Sequence, residues 1–111
     1  MVNYTPEKGD IVWIDFEPQK GREIAKKRPA IVLSPSNYNI KSQLALFVPI
    51  TSSVKGYPFE VLINYNDIKG AILCDQIRSM DWKERKVTKI TRLDKKILNE
   101  VLSRIRLLLS N

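Results

Sequence analysis

The chain has 111 residues, 19 Lys and Arg against 12 Asp and Glu, a net charge of +7 and a hydrophobic content of 43%. This length suits one domain with a modest core, so we expect a single domain over residues 1–111. The chain contains no histidine and one cysteine, which excludes an ordinary zinc site and any catalytic pair built on histidine. We therefore expect neither a metal nor a cofactor.

Short apolar runs separated by turn residues fill the first three-quarters of the chain. We expect strands at residues 11–16, 30–34, 44–50, 59–63, 71–75 and 86–90. Pro49, near the end of the third run, indicates an edge or a bend. Many short strands at close spacing favour a small barrel or two paired sheets.

The last segment changes its period. Apolar residues recur at three- and four-residue steps from Leu93 to Leu109, with lysines and arginines between them, which predicts one amphipathic helix. Thr91 and Asp94 resemble a capping pair at its start. We expect this helix to pack on the sheet, which gives an α+β domain closed by a C-terminal helix.

The cellular setting is predicted from what the chain lacks. Its N-terminus has no apolar signal core, and no stretch approaches the length of a membrane span. Cys74 lies in an apolar run and is expected to be a small core residue, and one cysteine allows no disulfide within the chain. We therefore expect a cytoplasmic protein with no membrane partner, whose positive charge suits a polyanionic or acidic partner.

The first candidate site is the basic segment that ends at Arg28. Proline pushes the residue before it toward extended geometry, so Arg28 is expected at the mouth of the strand that follows Pro29. A guanidinium is a planar fork of donors that suits phosphate and keeps its charge at any working pH. Glu23, in the loop before Arg28, has two interpretations: a group that acts beside Arg28, or a surface carboxylate paired with a neighbouring lysine.

The second candidate site is the polar segment after the third strand. Thr51, Ser52 and Ser53 precede Lys55, and hydroxyls with a nearby lysine can bind phosphate oxygens. The alternative is an ordinary turn in which the hydroxyls cap backbone groups.

The third candidate site is the run Asp75-Gln76-Ile77-Arg78-Ser79. Gln76 can read a base edge or hydrogen-bond a neighbouring loop, and Asp75 with Arg78 can form a structural pair. Phe16 lies next to a polar loop, where a base can stack on it, although burial in the core is the other interpretation.

Taken in order, these segments resemble the MazF, PemK and Kid family of toxins. The matching blocks are Gly9–Phe16, Gly21 with Glu23, Arg28–Pro35, Tyr38-Asn39, Val48–Thr51, Lys55–Val61 and Asp75–Ser79. Each block is weak alone, but together they cover nearly the whole chain at consistent spacing.

The resemblance implies an SH3-like small β-barrel that works as a homodimer. It also implies the toxin of a bacterial type II toxin–antitoxin pair, an mRNA interferase that cleaves single-stranded RNA as a sequence-specific, metal-independent endoribonuclease. The substrate 2′-OH would attack the adjacent phosphorus and leave a 2′,3′-cyclic phosphate and a 5′-OH. The expected protein partner is a cognate antitoxin with an acidic, disordered tail, which suits a chain of charge +7.

Three residues match catalytic positions of the family. The resemblance implies that Arg28 clamps the phosphate and that Thr51 hydrogen-bonds the same group, with Glu23 as the candidate base. For RNA binding we expect the residues Phe16, Ser52, Lys55 and Gln76.

Two other functions stay open on the sequence. A gyrase poison of the same fold binds a protein and cuts nothing, because fold does not fix function. Such a protein would not need Arg28 and Thr51 together beside a groove. A non-catalytic nucleic-acid-binding module would need only the positive charge and the barrel.

Overall fold

The computed structural model describes residues 4–16 and 27–110, so Glu23 and the rest of the segment 17–26 lie outside the described residues. Within them the elements, in chain order, are β1 (Asp10–Asp15), β2 (Lys27–Val32), α1 (Ser36–Ser42), β3 (Leu44–Thr51), β4 (Glu60–Tyr65), β5 (Ile68–Leu73), β6 (Arg78–Asp81), β7 (Thr88–Arg92) and α2 (Lys95–Leu109).

The strands form one antiparallel sheet in the order β4-β5-β3-β2-β1-β7, with β6 also paired to β3. Strand β3 is central because it changes partner along its length. Leu44–Phe47 pair with β6, whereas Ile50 and Thr51 pair with β5. Pro49 lies between these two stretches, which is the break expected of a proline in a strand.

The curled sheet encloses two apolar clusters. One contains Phe47 and Phe16, together with buried residues of β1, β2 and β3. The other is closed by α2, which contributes the buried Val101 and Ile105. The predicted α+β class, an SH3-like small β-barrel with a C-terminal amphipathic helix, is confirmed, and the sheet is a curled half-barrel.

Two elements lie where the sequence pattern predicts none. Helix α1 has seven residues and no side-chain cap at Pro35, so the sequence carries little indication of a helix there. The buried Asn39 holds the helix against the rest of the protein. In β6 only Met80 is buried, and the strand exists because it pairs with β3. Both elements depend on tertiary contacts that periodicity does not encode.

The start of α2 also differs from the prediction. Asp94 is the N-cap, and its side chain accepts a hydrogen bond from the Lys96 backbone N–H at 2.8 Å. Thr91 lies in β7, so the predicted Thr91–Asp94 capping pair is wrong. In the described part of the chain no helix combines the length and the hydropathy required to cross a membrane.

Candidate active site

A cavity of about 680 Å³ opens where the ends of β2 and β3 meet β5 and the start of β6. The predicted site residues that line it are Phe16, Arg28, Thr51, Ser52 and Gln76. The other lining residues are Trp13, Pro29, Pro49, Ile50, Asp67, Ile68, Lys69, Leu73 and Arg78. Four separate parts of the chain thus bring the predicted residues to one place.

Lys55 lies beside this cavity rather than in it. It lines an adjoining pocket of about 270 Å³, which shares Thr51, Leu73 and Gln76 with the cavity. The backbone N–H of Lys55 donates to the Glu60 carboxylate at 3.2 Å, and that of Gly56 does so at 2.9 Å. Glu60 therefore shapes this loop and leaves the Lys55 ammonium exposed.

Arg28 is the second residue of β2, opposite Ile14 on β1. The strand begins earlier than the pattern predicts, so Arg28 lies within the strand rather than at its mouth. Ala30 opposes Pro49 on β3 in the last pair of this register, and Arg28 and Thr51 each lie two residues beyond that pair. Beyond it Thr51 pairs with Ala71 on β5, and the Arg28 and Thr51 side chains line the same cavity.

Thr51 ends β3, and its hydroxyl oxygen accepts a hydrogen bond from the Ser53 backbone N–H at 3.1 Å. This is the turn geometry considered as the alternative for this segment. A hydroxyl also carries one hydrogen, which this bond leaves available for an acceptor in the cavity. The turn therefore orients the hydroxyl and still allows it to donate.

Gly70 sets the distance between β5 and the end of β3. A Cβ at this position would lie 1.9 Å from the Thr51 carbonyl oxygen and 2.8 Å from its carbonyl carbon. The φ of Gly70 is also positive, at 152°. Only glycine allows β5 to pass this close, so Gly70 fixes the position of the Thr51 backbone.

Phe16 lies at the edge of the cavity but is only 7% exposed. Its ring packs in the cluster around Phe47, and the guanidinium carbon of Arg78 lies 5.6 Å from the ring centroid. Most of the ring therefore serves the core, which was the second interpretation of this residue. Arg78 lies over Phe16, and no ion pair joins it to Asp75.

The charge around the cavity is mainly positive. Its described lining contains the cations Arg28, Lys69 and Arg78 and the carboxylate of Asp67. Lys69 and Arg78 were not among the predicted site residues, and neither was Trp13, which is the exposed position in the otherwise buried β1. Strand pairing brings these residues to the cavity, so the sequence alone does not indicate that Lys69 and Arg78 belong there. Only Trp13 could have been suspected, because it is an aromatic residue on an exposed face.

The described residues contain no group of three or more His, Cys, Asp or Glu side chains that could hold a metal ion. Cys74 is fully buried, which confirms it as a core residue. Burial raises the pKa of its thiol to about 11, and a thiol in that state is a poor nucleophile. The polar groups in the described lining of the cavity therefore include guanidinium, ammonium, hydroxyl and amide groups and the carboxylate of Asp67.

The chain is similar in sequence to toxins of one family. Residues 7–109 match the profile of the PemK-like, MazF-like toxin of type II toxin–antitoxin systems. The endoribonuclease toxin MazF of Escherichia coli K12 is 49% identical over 86 residues, which are 78% of each chain. The endoribonuclease PemK of Escherichia coli is 31% identical over 109 residues, covering 94% of this chain and 82% of PemK.

Solved structures have the same fold. The crystal structure of MazF from Deinococcus radiodurans has a TM-score of 0.85 and 40% identity, covering 96% of this chain and 98% of that one. A MazE–MazF structure from the same organism has a TM-score of 0.86 and 39% identity, covering 96% and 97%. The chain belongs to the PemK-like, MazF-like family of type II toxin–antitoxin toxins.

Proposed function

We propose that this chain is the toxin of a type II toxin–antitoxin pair and cleaves single-stranded RNA at specific sequences without a metal ion. The observation that carries the proposal is that Arg28 and Thr51 line one positively charged cavity. Relatives that are 49% and 31% identical are named endoribonucleases, which supports the same reaction class.

In the proposed reaction, the substrate 2′-oxygen attacks the adjacent phosphorus and the bond from phosphorus to the 5′-oxygen breaks. The 2′-OH gives up a proton to a base, and the leaving 5′-oxygen takes one up. The products are a 2′,3′-cyclic phosphate and a 5′-OH. No atom of the protein enters a covalent bond, so the protein has to stabilise charge and move protons.

Arg28 and Thr51 are proposed to stabilise the charge that develops on the phosphate oxygens. The exposed guanidinium of Arg28 has no side-chain partner among the described residues, so its donors are available to the phosphate. Thr51 donates the hydroxyl hydrogen that its turn leaves available. Groups held in place before the reaction stabilise a transition state without reorganising, and one such donor contributes about a hundredfold to a thousandfold in rate.

Glu23 is proposed as the base that accepts the 2′-OH proton. A carboxylate suits this task better than arginine, which keeps its proton at any working pH. Glu23→Gln keeps the shape and removes the base, so it should slow cleavage. Cleavage at the wild-type rate would contradict this assignment.

The proposed partners follow from charge and from the relatives. We propose that the toxin works in the cytoplasm as a homodimer and that its cognate antitoxin covers the cavity with an acidic, disordered tail. The net charge of +7 favours such a tail and RNA alike. The solved MazE–MazF structure of a similar protein supports a protein partner.

The test is cleavage of a long single-stranded RNA by the purified protein in excess EDTA, with the new ends mapped. Site-specific cuts with 5′-OH and cyclic phosphate ends are expected. Thr51→Val keeps the side-chain shape and loses the donor, so it should cleave about a hundredfold more slowly, whereas Thr51→Ser should retain most activity.

Other outcomes would favour the alternative functions. Intact RNA across varied sequences, from folded protein, would contradict the nuclease. If such a protein still bound RNA, the non-catalytic binding module would replace the proposal. If it bound no RNA but inhibited DNA gyrase, the gyrase poison would replace it.

A further inference from the structure

A second arginine, Arg78, faces the same cavity as Arg28. It begins β6 and lies opposite Phe47 on β3, which in turn lies opposite Val32 on β2. Phe47 and Val32 are buried in the cluster that contains Phe16. Because opposed residues share a face, Arg78 leaves the sheet on that same face.

Arg28 belongs to this face as well. It precedes Ala30 by two residues and Val32 by four along β2, and both of those residues are buried in the same cluster. Alternate residues of a strand point to one face. Sheet register therefore brings two arginines, fifty positions apart in the chain, to one side of the sheet and into one cavity.

The guanidinium of Arg78 is held without being neutralised. Its carbon lies 5.6 Å from the Phe16 ring centroid, and the ring itself is buried and therefore well fixed. In residues 4–16 and 27–110 the Arg78 side chain has neither a hydrogen-bond nor an ion-pair partner. A cation supported on a rigid ring keeps its donors for a ligand.

We propose that Arg78 binds the backbone phosphate next to the one that is cleaved and so positions the RNA strand for Arg28. This inference rests on the proposed ribonuclease function and adds a second phosphate subsite to its cavity. Both arginines line one cavity of about 680 Å³, and an RNA strand carries a phosphate at every nucleotide, so a strand bound there brings more than one phosphate into the cavity. Arg78 is thus a positioning residue, since it acts on substrate placement and not on the bond that breaks.

The first experiment compares Arg78→Ala with Arg78→Lys in steady-state cleavage of an oligonucleotide that carries one mapped cut. Arg78→Ala should raise KM about tenfold with little change in kcat, because one charge-assisted contact is lost from both the bound substrate and the transition state. Arg78→Lys should restore most of the affinity, because phosphate accepts a point charge. The matched control is Arg106→Ala, which removes the same charge from an exposed position on α2.

The second experiment measures binding of the same oligonucleotide with a 2′-deoxy sugar at the cut, over a range of salt concentration. The slope of log affinity against log salt should fall by about 0.7 in Arg78→Ala, as expected for one phosphate contact on a single strand. A neutral methylphosphonate beside the cleaved linkage should weaken binding to the wild type, yet cause no further loss in Arg78→Ala.

The outcomes separate this inference from the proposed function. If the wild type cleaves RNA but Arg78→Ala keeps its KM and salt slope, the phosphate subsite is wrong. If Arg78→Lys fails to rescue and the cut sequence changes, Arg78 contacts a base and the subsite is again wrong. If the wild type cleaves no RNA, the ribonuclease itself fails, and the salt slope, which can be measured on an uncut single-stranded oligonucleotide, still reports whether Arg78 binds a phosphate.

Discussion

The two ends of the β2–β3 pair use polar residues in opposite ways. At the end where β2 leads into α1, Asn39 is fully buried and its side-chain amide donates to the carbonyls of Pro6 at 2.8 Å and Ser34 at 3.0 Å. Its amide oxygen accepts from the Ser34 hydroxyl at 2.6 Å, and its backbone oxygen accepts from the Trp82 indole at 2.9 Å. Every side-chain polar group of Asn39 is satisfied.

At the other end, Arg28 and Thr51 face a cavity, and hydrogen-bond donors of their side chains have no acceptor among the described residues. The Arg28 side chain has no partner among the described residues, and the Thr51 hydroxyl uses only its oxygen in the turn. A polar group buried and bonded inside the protein stabilises the fold, whereas one left with open donors costs little in water and can bind a ligand. The buried polar groups at one end of the strand pair therefore support the fold, whereas those at the other end keep donors that a ligand can use.

The largest expected effect is on catalysis at the open end. Arg28→Ala should lower the cleavage rate by about a hundredfold to a thousandfold, since it removes the donor proposed to stabilise the phosphate charge. Its melting temperature should match the wild type because Arg28 is exposed and makes no described side-chain contact that supports the fold. Cleavage kinetics measure the rate, and thermal unfolding measures the melting temperature. A melting temperature that falls together with the activity would show that Arg28 also supports the fold, contrary to the difference drawn between the two ends.

The matching change at the closed end should act on stability instead. Asn39→Leu leaves the Ser34 hydroxyl and two buried carbonyls without their partner, so the free energy of unfolding should fall by about 3 kcal/mol. Urea unfolding measures this, with Asn99→Leu as the control because Asn99 is exposed on α2. Equal losses in the two variants would show that the buried network contributes nothing.

Gly70→Ala should lower both the stability of the protein and its cleavage rate. The new Cβ would clash with the Thr51 carbonyl, so we expect about 2 kcal/mol of destabilisation together with a cleavage defect in the protein that remains folded. Gly56→Ala is the control, because a Cβ there meets nothing within 4 Å and costs only about 1 kcal/mol for its positive φ. Full activity in folded Gly70→Ala would show that Thr51 does not depend on this close approach.

The smallest effect concerns the buried thiol. Burial raises the pKa of Cys74 to about 11, above its value in an unfolded chain, so the folded state favours the protonated thiol. Its stabilising contribution is complete below about pH 8.5 and is lost as the pH rises through about 11. Stability measured by urea unfolding should therefore fall more steeply with pH in the wild type than in Cys74→Ala.

The titration of Tyr4 also makes stability depend on pH, and its contribution has to be separated from that of Cys74. Its pKa is also raised, first by burial and then by its hydrogen bond to Asp10, and so it changes stability in the same direction as the pH rises. Cys74→Ala retains Tyr4, and the difference between the two proteins isolates the thiol. Parallel pH profiles would show that Cys74 does not titrate differently in the folded protein.

Local patterns were sufficient for most of the fold. The three- and four-residue spacing from Leu93 predicts α2, and six apolar runs predict six of the strands to within three residues at each end. Helix α1 and strand β6 could not be predicted in this way. The first lacks a cap and the second has only Met80 buried, so each exists because of what it packs against.

The residues of the candidate site also fall into those that local sequence predicts and those that depend on tertiary contacts. Arg28 beside Pro29, and Thr51 at the end of an apolar run, could be chosen from residue type and position. Lys69 and Arg78 could not, because their place at the cavity depends on which strands pair and in what register. Phe16 was open to two interpretations, and only the structure shows that its ring is mainly core.

The sequence by itself determined the class of the protein, its single helical face and the residue types able to act on a phosphate. These properties depend on residues that are close together in the chain, and their spacing can be read from the sequence. The tertiary structure alone decided that Arg78 lies over Phe16 in the cavity that Arg28 also lines, and that Gly70 passes against Thr51. Those contacts join distant residues through strand register, and a shift of one residue would send each side chain to the opposite face.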